Sequence, residues 1–387
     1  MDTERPGPKL IKKLFVLSAL LGLIVSLAGS TPAHDDIKAL QPGEKIERSL
    51  AVDAQATVTL CVASGTLTVR GWEKSEVRVR SIGAGQLDFR RIDRVKDTSK
   101  PATRVDVILT QRPGVRNATL DCQAFAEVEM EVPAGATVQV QTRDGDISIS
   151  GVAAAYAGSQ NGDITIERAT KLVEAGSVGG SIFLRDSSGR VNLSSAGGGV
   201  EAVNIRAVTP EDIFEVGTVS GDIQLDRVSH PKVSAKTVNG TVTMSGPLAK
   251  SGSYGFTNMT GNLVLEMPHD ASFQLIAKVS EKQSIISDFK LTFTNEPPSP
   301  PRPGAGTPKP PQVKDKPDVK DKPDVKDKAA VKDKPAAKGG PVITTIPVER
   351  QAVVVPYPLR RVTAICGSGD ATISVASFGG TVRLKKI

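Results

Sequence analysis

Large rings are scarce in this chain: one Trp, three Tyr and ten Phe make up 4% of 387 residues. A core built without them has to be filled by aliphatic side chains in layers, as in a stacked sheet. Cysteine is equally sparse, and Cys61, Cys122 and Cys366 are the full set. Three cysteines exclude a disulfide scaffold and a multi-Cys zinc module; in an oxidising compartment one pair can form and one thiol is left over. Cys61 and Cys366 lie inside apolar strand-like runs, which suits a buried small hydrophobe. Which two pair, if any, stays open at this level. Histidine is limited to His34, His230 and His269, the last two beside prolines. There is no His-Glu-x-x-His and no Gly-x-Ser-x-Gly, and Gly197-Gly198-Gly199 is not followed by the Gly-Lys-Ser/Thr of a phosphate loop. No residue pattern calls for a metal or a cofactor. The formal net charge of +7 is spread thinly, with no dense basic patch among aromatics. Nucleic acid is therefore not an expected partner.

What is present begins with an export signal. Arg5, Lys9, Lys12 and Lys13 lead into the apolar run Leu14 to Ala28, and small residues follow up to Ala33. Fifteen apolar residues are short against the roughly 20 of a bilayer span. Cleavage after Ser30 or Ala33 is thus favoured over a retained anchor. Removing residues 1–33 takes away four basic and two acidic residues and leaves a net charge of +5. No other segment is long enough to cross a membrane, and no Cys follows the apolar run to carry a lipid. The expected segments are a signal peptide at 1–33, a lead-in at 34–49, and an N-terminal β region at 50–132 that forms a cap or the first coils. Repeats follow at 133–295, then a spacer at 296–341 and further repeats at 342–387.

The repeats are the central pattern. A glycine precedes a short β-branched strand in Gly145-Asp-Ile-Ser-Ile, Gly162-Asp-Ile-Thr-Ile, Gly180-Ser-Ile-Phe-Leu, Gly221-Asp-Ile-Gln-Leu, Gly240-Thr-Val-Thr-Met and Gly261-Asn-Leu-Val-Leu. A degenerate copy fits at Gly199, a half-period copy at Gly189, and the last copies at Gly369 and Gly380. Glycine takes the positive φ of a tight turn at no steric cost, and a neighbouring Asp, Asn, Ser or Thr can bond the turn backbone. Each Ile-x-Ile puts two apolar side chains on one face of a strand. Copies about 20 residues apart then stack equivalent strands about 4.8 Å apart. The expected fold is all-β, a single-stranded parallel β-solenoid resembling a β-helix, with coils of ~20 residues and an N-terminal β cap. Hairpins in a β-sandwich are the competing architecture. Glycine and strand keep one order in every copy, as parallel stacking requires.

After Asn295 the composition changes. Val-Lys-Asp-Lys recurs every six residues from Val313, Val319, Val325 and Val331, among many prolines. With nothing apolar to bury, this reads as a solvated spacer, and strand character from Val342 onward makes it a long loop inside the β body.

The residues Gly71-Trp72-Glu73-Lys74-Ser75-Glu76-Val77, then Val132-Pro133-Ala134-Gly135, then the serial Gly-Asp-Ile copies and the closing Gly367-Ser368-Gly369-Asp370 and Gly379-Gly380 resemble the bacterial putative-adhesin family. That is an exported domain of unknown function. The resemblance covers about residues 50–295 and 342–387. It implies a right-handed parallel β-solenoid and a role in adhesion or the envelope, with no catalytic residues to carry over.

The sharpest chemical suggestion is a ladder of Asp146, Asp163, Asp222 and Asp370, lined up for Ca²⁺ or for acid/base work on a polysaccharide. Other copies put Ser181, Arg190, Thr241 and Asn262 at the same place, which favours Asp as a partner of the turn backbone. Trp72 suits either a sugar platform or a plug at the end of a core. Three functions follow. The first is a non-catalytic envelope protein whose side surface binds polysaccharide, peptidoglycan or another surface protein. The second is a polysaccharide lyase or hydrolase on a β-helix, and the third a periplasmic partner of a membrane signalling protein.

Overall fold

The structure, a computed structural model, describes residues 45–93, 100–114, 120, 122–280, 283–294 and 359–387. The expected signal peptide, the spacer and residues 342–358 lie outside the described residues. Every regular element among the described residues is a strand, 26 in number.

Each coil contributes two strands, one to each of two parallel ladders. The strands that follow the repeat glycines form the first ladder: Ile147–Ser150, Ile164–Glu167, Ile182–Arg185, Val200–Arg206, Ile223–Ser229, Val242–Ser245 and Leu263–Met267. They pair in register, so that Ile147, Ile164, Ile182, Val200, Ile223, Val242 and Leu263 stack directly on one another. The alternate segments form the second ladder: Thr137–Asp144, Ala154–Ser159, Leu172–Ser177, Arg190–Ser195, Ile213–Ser220, Lys232–Asn239 and Ser253–Thr260. The half-period copy at Gly189 is one of these strands. The sequence is thus a solenoid with two strands per coil.

Period-two alternation explains why the two ladders close on each other. In Ile164–Glu167 and Leu172–Ser177 every second residue is buried, and the core between the ladders is almost wholly aliphatic. Fully burying one Ile, Leu or Val contributes about 1.5–3 kcal/mol, and each rung adds two to four such residues. One coil alone would leave both its edges unpaired and its apolar side chains wet, so stability comes from stacking. Phe214, Tyr254, Phe256 and Phe273, all fully buried, fill the C-terminal half of the core.

Chain order and spatial order part company at both ends. Residues 57–64 lie between Ala102–Thr110 and Thr137–Asp144, and Leu67–Trp72 between Glu127–Pro133 and Ile147–Ser150. The first coil is therefore inserted between the second and the third. At the other end, Ala371–Ser377 and Val382–Lys386 form a coil inserted before the coil of Phe273–Ser280 and Ile285–Ser287. Antiparallel strands close the ends. Glu76–Ile82 runs between Lys45–Ala51 and Glu127–Pro133, and Gln86–Arg91 runs along Ala102–Thr110. Leu359–Cys366 runs along Phe273–Ser280. The stretch 50–132 thus supplies both coil and cap.

A disulfide joins Cys61 to Cys122, so Cys61 is not the lone buried hydrophobe its apolar run suggests; Cys366 is the free, buried thiol. Residues 124–126 run beside this strand, with Ala63 N–H donating to the Ala124 carbonyl at 2.7 Å and Ser64 bridging Phe125 in parallel. Alternation fails along this strand, where Thr59, Cys61 and Ala63 are buried along with Leu60 and Val62 and Cys61 carries the bond to Cys122.

Candidate functional site

The repeat glycines form one edge of the stack. Gly65, Gly145, Gly162, Gly180, Gly198, Gly221, Gly240, Gly261 and Gly380 follow one another, each with its α-carbon against the carbonyl oxygen of the glycine before it. A Cβ at any position after Gly65 would overlap that oxygen. This differs from the turn argument made from sequence: of these, only Gly65, Gly261 and Gly380 have φ in the left-handed region. The requirement is close approach of backbone to backbone. The degenerate copy shifts accordingly, since Gly198 rather than Gly199 occupies the ladder. Gly369, with φ of 76°, lies in the turn before a second-ladder strand and is not a member.

A row of inward hydroxyls secures the same edge. Ser159, Ser177, Ser195, Thr218 and Thr237 donate to the carbonyls of Gly145, Gly162, Gly180, Gly198 and Gly221 at 2.9–3.3 Å, each reaching back one coil. Ser177 and Ser195 also accept from the N–H of Gly180 and Gly198, both at 2.9 Å. These residues stand three before each ladder glycine. A Ser/Thr-x-x-Gly pattern was present in the sequence to find them.

Outside the glycines sit the aspartates. Asp146 accepts from Asp163 N–H at 2.9 Å, Asp163 from Ser181 N–H at 2.7 Å, and Asp222 from Thr241 N–H at 2.7 Å. Asn262 accepts from Thr381 N–H at 3.0 Å in the same way. Only Asp146 and Asp163 occupy adjacent coils, in a shallow, open depression with Asn161, Gly162, Gly179 and Gly180. Asp370 lies elsewhere, accepting from Ser368 Oγ at 2.8 Å in the turn before Ala371. The four carboxylates are not brought together, and among the described residues no three His, Cys, Asp or Glu side chains converge as metal ligands.

Left-handed backbone collects at the opposite edge. Arg168, Asp186, Asn204 and Arg227 have φ of 49–57°, and Gly151 and Gly246 hold the equivalent places in coils before and after them. Asn204 Nδ2 donates to Asp186 Oδ1 at 2.9 Å, and Arg227 Nε to Asn204 Oδ1. Nearby, His230 is fully buried rather than looped out, its Nε2 2.8 Å from the Gly189 carbonyl, its ring edge-on to Phe214 and its Nδ1 unpartnered. Burial holds its pKa below the ordinary value. Trp72 donates to the Glu76 carbonyl, with Lys74 and Arg78 lying 4.9 and 4.8 Å from its ring centroid. The ring is thus engaged by cations of its own chain.

The outer face of the second ladder carries the regular surface. Tyr156, Glu174, Asn192 and Glu215 form one row in register, and Gly158, Gly176, Ser194 and Gly217 the next. Beyond them, at the glycine edge, Val178, Val219 and Val238 are exposed, and Ala196, Met259 and Phe378 partly so. The result is a floor of small residues between a polar row and an apolar ridge.

The profile of the Toastrack DUF4097 family matches residues 50–294. The chain belongs to that family. The Toastrack match ends before the inserted C-terminal coil, which nevertheless shares the same ladders. Among solved structures, a putative adhesin from Parabacteroides merdae is 10% identical, over 58% of this chain and 90% of that one, with a TM-score of 0.35. One from Parabacteroides distasonis is 13% identical over 58% and 91%, TM-score 0.28. One from Bacteroides fragilis is 13% identical over 59% and 91%, TM-score 0.29. No curated protein matches.

Proposed function

We propose that this Toastrack chain is an exported envelope protein that binds through the outer face of its second ladder, in adhesion or envelope assembly, without catalysing a reaction. The carrying observation is that face: Gly158, Gly176, Ser194 and Gly217 leave a floor at one fixed spacing, flanked by Tyr156, Glu174, Asn192 and Glu215. A surface that repeats every rung, about 4.8 Å, suits an extended polymer or a protein strand lying along the stack. The Cys61–Cys122 disulfide supports an oxidising compartment, in agreement with the basic and apolar N-terminal segment.

The test blocks the floor without disturbing the stack. A Cβ at Gly158 would be in ordinary contact 3.7 Å from Gln141, and at Gly217 3.9 Å from Lys236, so Gly158→Lys and Gly217→Lys leave the fold intact. Binding of the purified protein to peptidoglycan, envelope polysaccharide and envelope proteins is measured by co-sedimentation. Retention by one of these, lost in the lysine variants at unchanged melting temperature, is the expected result. Failure to bind any envelope fraction, or turnover of a polysaccharide panel, would refute the reading.

A further inference from the structure

The coil of Ala371–Ser377 and Val382–Lys386 is not appended to the stack but wedged into it. It pairs in parallel with Ser253–Thr260 and Leu263–Met267 on one side and with Phe273–Ser280 and Ile285–Ser287 on the other. The two coils it separates are consecutive in sequence. We propose that this slot is exchangeable: a second copy of this chain fills it with its own residues 359–387, so that two copies trade closing coils.

Two features of the slot favour exchange. First, it can close on itself. Ser253 and Gln274, both in register with Thr372, are 21 residues apart, and Leu263 and Ile285, both in register with Val382, are 22 apart. Directly stacked neighbours elsewhere have offsets that bracket these: Ile223 to Val242 is 19 residues, Val242 to Leu263 is 21 and Val200 to Ile223 is 23. With the wedge removed, Tyr254 would stack on Leu275, Phe256 on Ala277 and Leu263 on Ile285, all on the inward face. Closing the slot re-pairs the two edges the coil separated, so departure of residues 359–387 leaves open only the edge of Phe273–Ser280 that Leu359–Cys366 covers, which lowers its cost. The same sequence has two packings, with and without the insert.

Second, nothing in the connection obliges the coil to return to its own body. Phe293 pairs with Ala364, and Thr294 N–H donates to the Thr363 carbonyl at 3.0 Å. Two strands meeting like this need a loop of about two to five residues. The chain uses residues 295–358, 64 in all, rich in Pro, Lys and Asp. A connection of 64 residues can span up to about 210 Å at full extension, enough by length alone to serve a neighbouring molecule. It also sets the balance: the tether favours self-filling in dilute solution, and exchange when copies are crowded or refold together at high concentration.

The test uses full-length chains. Thr257 and Ala376 are register partners across the slot boundary, both partly exposed on the outer face. Thr257→Cys and Ala376→Cys are made in separate chains, each also carrying Cys366→Ala, and a short bismaleimide reagent is applied. A double variant bearing both cysteines on one chain cross-links internally. A mixture of the single variants refolded together at about 1 mM gives a covalent heterodimer, with a yield at least about tenfold lower after refolding at about 1 μM. Internal cross-linking of the double variant without heterodimer at any concentration overturns exchange. Equal dimer from either single variant alone overturns it too, because association is then indiscriminate. A double variant that folds but does not cross-link removes the insertion itself. The outcome is independent of the adhesive reading, since no envelope component enters the assay.

Discussion

The α-carbon of Gly180 rests against the carbonyl oxygen of Gly162, leaving no room for even a methyl group between adjacent coils. Gly176, four residues earlier on the second ladder, faces outward, with only the Ser194 hydroxyl 3.2 Å from where its Cβ would stand. The two glycines of one coil therefore answer the same substitution differently. Gly180→Ala should lower stability by about 1–3 kcal/mol or more through forced separation of two rungs. Gly176→Ala should change it by less than about 1 kcal/mol, the Ser194 side chain rotating away. Urea midpoints of the two variants decide this; equal losses would show that the ladder glycines are there for some other reason.

Arg168 and Asp186 occupy left-handed backbone with φ of 54° and 49° at the edge where Gly151 and Gly246 stand in other coils. A side chain in that conformation costs roughly 1–2 kcal/mol. Arg168→Gly should thus be neutral to stabilising by up to about 1 kcal/mol, some of the gain being offset by the greater freedom of glycine when unfolded. Arg168 also pairs with Glu167, but both side chains are well exposed and the pair is worth little. Thermal unfolding of the single variant reads the sign.

His230 carries an acid-side prediction. Burial lowers its folded pKa below the ordinary value, against the opposing influences of the Gly189 carbonyl and the Asp212 carboxylate. A neutral imidazole is therefore what the fold accommodates. Its stabilising contribution is complete above the unfolded pKa of about 6.5 and is lost as pH falls from there through the depressed folded value. Between pH 7.5 and 5 the urea midpoint should fall in the native chain. In His230→Asn, which keeps a donor for Gly189, the part of that fall owed to this residue should disappear. An identical pH profile in the variant would exclude His230 as its source.

Cys61 and Cys122 close a loop of 61 residues across the outer face of the N-terminal coils. Losing that bond should cost about 2–4 kcal/mol. Cys61→Ser with Cys122→Ser should lower the unfolding midpoint accordingly, and reductant should do the same to the native chain but not to the variant. Thiol titration of the denatured, unreduced chain should find one thiol, that of Cys366. A count of three would remove the bond.

Much of the architecture was legible because it is written locally. Ile147, Ile164, Ile182 and Ile223 each follow a ladder glycine by two residues, and that spacing places them on one inward face before any coordinates are known. At 197–199 three glycines run together, and the same two-residue spacing counted back from Val200 points to Gly198 rather than Gly199, as contact with the Gly180 carbonyl shows. The role of Asp146 and Asp163 was legible in kind, as partners of turn backbone, yet their acceptors serve the next coil and not their own turn. The outer floor of Gly158, Gly176, Ser194 and Gly217 was missed, since small residues outside a sheet carry no periodic apolar signal.

Repetition, inward alternation and the tight edge thus follow from the order of residues, because each depends on neighbours within one or two turns of chain. The order of coils does not. Every coil offers the same backbone donors and acceptors and nearly the same aliphatic rungs, so its sequence is indifferent to which coil lies above it. That the first coil enters between the second and the third, and that residues 371–386 enter between two other consecutive coils, was decided by long-range pairing alone. The same pairing carried Cys122 to Cys61 and sealed His230 beneath Tyr254 and Phe214.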